Sequence, residues 1–122
     1  MLAKISWFVL AAIHLTPALA LPMPSILTRL YGIEGEDPAF ALLWHRAALF
    51  AVVLLLCIWA ALRVEVRPLA VVAVALSMIS FLAIYALTGT PAALRTVALA
   101  DLVGLPFLAI VAWDAFRAPA AG

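Results

Sequence analysis

Four apolar runs, at about residues 5–22, 38–62, 68–88 and 91–116, leave this chain few ways to fold. Each is close to the ~20 residues an α-helix needs to cross ~30 Å of hydrocarbon. Inside a bilayer every backbone N–H and C=O must be satisfied within its own segment, so such a run reads as a spanning helix. Composition agrees: 70% of the 122 residues are hydrophobic and 11% are charged, against roughly 25% charged in a soluble domain. The expectation is an all-α, integral membrane four-helix bundle, antiparallel, forming a single domain over residues 1–122.

Prolines punctuate the connections. Pro22 and Pro24 stop the first run, Arg67-Pro68 opens the third, and Asp37-Pro38 and Thr90-Pro91 read as an N-cap followed by a first-turn proline. Between the first two spans, Ser25 to Ile33 groups Ile26, Leu27, Leu30, Tyr31 and Ile33 around Arg29. This is either a short helix lying on the interface or an ordinary apolar loop. No period of 20 to 50 residues repeats, and the two halves share no motif.

Lys4, Arg63, Arg67 and Arg117 fall on one side of this topology, and Glu34, Glu36 and Asp37 on the other. The positive-inside bias therefore puts both termini in the cytoplasm. Trp7, Trp59 and Trp113 are expected at the inner interface and Trp44 at the outer one, where an indole buries its ring and keeps its N–H wet. Ala18-Leu19-Ala20, after Lys4 and an apolar core, also fits a signal-peptide cleavage site. Removing that segment would leave three spans with the charge bias inverted, so it is read as a retained first helix.

The seven Lys and Arg stand singly, which excludes a nucleic-acid patch. Cys57 is alone inside an apolar run, which excludes a disulfide framework, a CxxC pair or a thiolate cage within one chain.

Chemistry, if there is any, rests on the polar groups inside the spans, because each one at that depth needs a partner or a task. At a rise of 1.5 Å per residue, His14 lies about 12 Å below Pro22, His45 and Arg46 about 12 to 14 Å below Asp37, and Asp101 about 16 Å below Thr90. Ser77, Ser80 and Thr88 share a face of the third span, with Ser80 again about 12 Å from its outer end. His14, His45, Arg46, Ser80 and Asp101 thus form an expected polar layer in the outer half. Pro17 and Pro106 free backbone carbonyls near it, and Ala11, Ala18 and Gly104 let helices approach closely.

Two uses of this layer remain open. Arg46 and Asp101 are expected to form a buried ion pair that ties the second span to the fourth, a packing device with no chemistry. Alternatively the layer binds a lipophilic molecule such as a quinone or a lipid, with the histidines as hydrogen-bond partners and Arg46 orienting an anion or a carbonyl. A b-type haem held by His14 and His45 is a further option. A zinc site of His14, His45 and Asp101 is disfavoured by the charge of Arg46. Proton or cation coupling of the kind seen in small four-helix multidrug exporters would want an acid in the first span, where this chain has His14. No catalytic set and no resident cofactor are expected. Membrane lipids, a lipophilic small molecule, a second copy or another membrane subunit are the expected partners, and an accessory subunit whose product is an interface is the alternative to ligand binding.

HLTP in the first span, LYGIEGEDP in the loop and LWHRAALF opening the second resemble a group of small bacterial four-helix membrane proteins allied to the DoxX-like superfamily. The likeness runs over nearly the whole length on short motifs. It matches His45, Arg46 and Ala47 to an HRA-type opening and Asp101 to an early aspartate in the fourth span, and it implies a fold without implying an activity. Some look-alikes carry the name phosphopantetheine adenylyltransferase, but this chain has no HxGH motif, no βαβ pattern and no water-exposed domain.

Overall fold

The computed structural model describes residues 1–117. Five helices form: α1 (Leu2–Leu19), α2 (Ser25–Tyr31), α3 (Pro38–Leu62), α4 (Arg67–Leu87) and α5 (Arg95–Phe116). Four stretches, Leu2–Leu19, Pro38–Leu62, Val64–Leu87 and Ala92–Phe116, are long and apolar enough to cross a membrane. Large apolar side chains point outward from each, among them Leu55, Leu76 and Val103 at 64%, 66% and 63% exposure. A surface of that kind is at home in acyl chains and not in water. The chain is a multi-pass membrane four-helix bundle.

The four long helices run up and down in a closed ring: α1 packs on α3 and α5, α4 on α5, and α3 on α4. The α3–α4 seam is the least extensive of the four. Residues 1 and 117 lie at one end, and α2 with the Gly89 turn lies at the other.

Local chemistry sets the boundaries. Asp37 caps α3 through its carboxylate, which accepts from the Ala39 N–H at 2.9 Å, and Pro38 occupies the first turn where no N–H is needed. The first span ends earlier than its hydropathy suggests, at Leu19 instead of residue 22, because Pro22 has no N–H to return to the Ala18 carbonyl. The fourth does not start on a Thr90 cap. Gly89 and Thr90 both adopt positive φ, 82° and 50°, to reverse the chain, and the Thr90 hydroxyl is spent on the Gly89 carbonyl. Pro91 stays extended, a 3₁₀ turn over Ala92–Leu94 follows, and α5 begins at Arg95. Of the two readings of the first loop, the short helix α2 is the one that forms, burying Ile26 and Leu27 and ending on Gly32 at φ 66°.

The half of the ring near the termini is a dry core of Trp7, Leu10, Cys57, Val74, Met78 and Val111. Small residues make it tight: a Cβ on Gly104 would stand 2.6 Å from Met78 Cε and 2.8 Å from Ile13 Cδ1. Trp7 departs from the expected interfacial belt. It shares a face of α1 with Leu10 and His14, is fully buried, and its Nε1 has no partner. Trp59 and Trp113 are exposed, and Trp44 donates its Nε1–H to the Leu21 carbonyl at 3.0 Å. An ion pair clasps the same end, where Arg67 at the start of α4 meets Asp114 near the end of α5 at 2.9 Å. Arg67 Nε also donates to the Ala60 carbonyl of α3 at 2.8 Å.

Candidate functional site

Towards the α2 end the ring loosens, and His14, Arg46, Ser77, Ser80 and Asp101 line two cavities there. His14 stands between them. Its Nδ1 faces the Leu10 carbonyl at 2.9 Å, and a carbonyl only accepts, so Nδ1 carries the proton. In the neutral ring Nε2 then accepts from the Ser77 hydroxyl of α4 at 3.2 Å. Both nitrogens are engaged, the ring is 1% exposed, and it tilts against Phe50 with centroids 6.0 Å apart.

The larger cavity is a cleft of about 540 Å³ between α3 and α4, bordered by Arg46, Phe50, Leu76, Ser77, Ser80 and Phe81. Arg46 sits among aromatic faces: its guanidinium carbon is 4.6 Å from the Phe50 centroid, 5.5 Å from Phe81 and 6.0 Å from Tyr31. Rings drawn from α2, α3 and α4 thus hold one cation. Among the described residues no carboxylate pairs with it, and none of its N–H groups donates a hydrogen bond. Tyr31 lies outside the spans. Its burial holds the phenol above its ordinary range, with the Arg46 charge pulling it back and the Asp101 charge raising it. It therefore stays a neutral hydroxyl beside the cleft.

The smaller cavity, about 210 Å³, lies between α1 and α5 under α2 and contains His14, Thr16, Leu30, Phe50, Thr96 and Asp101. Asp101 is 7% exposed. Phe50 is the wall the two cavities share.

The expected Arg46–Asp101 ion pair does not form. The two residues face different cavities, and the three rings hold the guanidinium on the α3/α4 side. His45 is exposed on the outside of α3, carrying it away from the layer. Neighbours on a helix point about 100° apart, so once Arg46 turns into the cleft His45 must turn out of it. Ser80 borders the cleft but returns its hydroxyl to the Leu76 carbonyl of its own helix, and Ser77, one turn earlier, makes the bond between helices. His14 has no nitrogen free for an axial haem bond. Among the described residues no three His, Cys, Asp or Glu side chains gather as a metal set.

Phe50, Thr16 and Thr96 were not singled out from the sequence. For Phe50 a signal was present, since an aromatic four residues after an arginine shares its helix face. For the two threonines there was none.

No family model, curated protein or solved structure matches this chain. Fold and site together define a membrane helix bundle with two lateral cavities, one presenting a cation and the other a carboxyl.

Proposed function

We propose that this is a non-enzymatic protein of the bacterial inner membrane, with both termini cytoplasmic, allied to the DoxX-like group. It takes a lipophilic molecule with an anionic or carbonyl head group, a lipid or a quinone, into the α3/α4 cleft. The supporting observation is the unpaired guanidinium of Arg46 at the rim of an apolar cleft. A lone cation at that depth costs several kcal/mol, and cation–π contacts recover about 0.5 to 2 kcal/mol each while leaving every N–H without an acceptor. A phosphate or carbonyl oxygen seated there satisfies the donors, and the wall of Leu49, Val53, Leu76 and Ile84 takes the tail. The cleft falls within the roughly 300 to 1,000 Å³ of ligand pockets.

The test is native mass spectrometry of the full chain released from membranes, followed by solvent extraction and identification of what is retained. The reading expects one dominant acidic lipid or quinone, lost in Arg46→Gln and kept in Arg95→Gln. Equal retention by the two variants refutes it.

A second reading, an accessory subunit whose product is an interface, is favoured by His45, an imidazole exposed at a depth of about 12 Å. On that reading His45→Phe disperses a complex seen by native mass spectrometry and leaves lipid retention unchanged.

A further inference from the structure

Asp101 sets a problem that the α3/α4 cleft does not solve. The residue is 7% exposed, and among the described residues no N–H or O–H donates to its carboxyl and no basic group lies within ion-pair distance of it. The Nδ1–H of His14, which lines the same cavity, is already given to Leu10. Arg46 lines the neighbouring cleft beside the shared Phe50 wall, beyond ion-pair distance although its charge reaches Asp101. A carboxyl placed this way has one direction in which to find a partner, the 210 Å³ cavity it lines.

The other polar groups free at that cavity are hydroxyls, a carbonyl and a π face, each able to accept. Thr16 on α1 and Thr96 on α5 bring hydroxyls to its exposed mouth, and neither is hydrogen-bonded elsewhere among the described residues. Pro17 has no N–H, so the Ile13 carbonyl on the cavity wall lacks its usual helical donor. Phe50 offers a ring. A carboxylate, two hydroxyls, a released carbonyl and an aromatic face form a set for a cation carrying N–H bonds. The rest of the wall, Ala12, Val97 and Ala100, is apolar and small. The volume exceeds the ~150 Å³ that holds benzene in an engineered apolar cavity, so the cation can carry a short organic body.

We infer that the α1/α5 cavity is a second site, binding a small organic ammonium ion whose N–H groups are held by Asp101, Thr16 and Thr96 and whose apolar part packs on Ala12, Ala100 and Phe50. The site is independent of the head-group cleft: its charge has the opposite sign and its walls are α1 and α5.

The experiment uses the full chain in an uncharged detergent, with 4-fluorobenzylammonium as the probe and ¹⁹F NMR titration as the readout. Saturable binding is expected, with 4-fluorobenzyl alcohol, of similar shape but uncharged, at least tenfold weaker. Asp101→Asn lowers ammonium affinity at least tenfold. Arg46→Gln leaves it unchanged or tightens it, because a repelling charge is removed, while abolishing retention of the acidic lipid or quinone. The two readings therefore fail separately. If Asp101→Asn does not fold, Ala12→Trp, which blocks the mouth and leaves the carboxyl in place, takes its role and must abolish binding. Equal affinity for the ammonium and the alcohol shows an apolar hole only and overturns the inference, as does full binding by Asp101→Asn or by Ala12→Trp.

Discussion

Gly104 offers the sharpest check on the packing that positions both cavities. Without a hydrophobic force between helices in lipid, the ring is held by close contact and by bonds between helices, and at Gly104 α5 presses closely on side chains of α1 and α4. Gly104→Ala places a methyl 2.6 Å from Met78 Cε and 2.8 Å from Ile13 Cδ1. To regain ordinary carbon contact each neighbour must withdraw by about an ångström. Such overpacking costs about 1 to 3 kcal/mol, and the gain from replacing glycine inside a helix returns about 1 kcal/mol. The difference is a net loss of up to about 2 kcal/mol, and because both contact atoms are the tips of flexible side chains it falls in the lower half of that range, about 0.5 to 1 kcal/mol. In a Met78→Ala background the sign reverses. That substitution alone costs about 2 to 5 kcal/mol because it leaves a hole, and the alanine methyl at 104 then fills part of it. The assay is unfolding in mixed micelles by SDS titration, run as a double-mutant cycle. Coupling of at least about 1 kcal/mol is expected, with Gly104→Ala destabilising wild type and stabilising Met78→Ala. If Gly104→Ala stabilises both backgrounds equally, within about 0.5 kcal/mol, helix propensity alone is at work and the close approach is absent.

Ser77→Ala removes the donor to His14 Nε2 and costs about 0.6 kcal/mol, the average for hydrogen bonds between membrane helices, and at most about 1.7 kcal/mol, read by the same titration. A histidine ¹⁵N spectrum should at the same time show Nδ1 still protonated, held by Leu10. Asp114→Asn breaks the clasp that Arg67 makes between α4 and α5, and with both side chains only 13% and 20% exposed the loss is about 1.5 to 3 kcal/mol. Charge reversal, Arg67→Asp with Asp114→Arg, recovers most of it, whereas recovery no better than either single change rules out a direct pair.

The spans and the α3 cap were legible because each rests on information local in the chain: apolar length for the spans, and Asp37 followed by Pro38 for the cap. Depth was legible for the same reason, through the fixed rise per residue. Facing was not. His45 and Arg46 share a depth but not a direction, and which of them turns inward depends on rings supplied by α2 and α4, distant in sequence. Trp7 reads as an interfacial anchor by position and is buried by the same tertiary choice. Thr90 reads as a helix cap, and the turn with Gly89 claims it first. Ser77 and Ser80 were alike in sequence, and only the placement of His14 separates them.

The α3–α4 seam is tied beside the termini by the short Val64–Val66 connection and the hydrogen bond from Arg67 to the Ala60 carbonyl, and beside α2 by Arg46 resting on the Phe81 ring. The first tie is a covalent turn with a hydrogen bond, and the second is a cation over a ring worth about 0.5 to 2 kcal/mol, so the two helices part more easily beside the cleft than beside the termini.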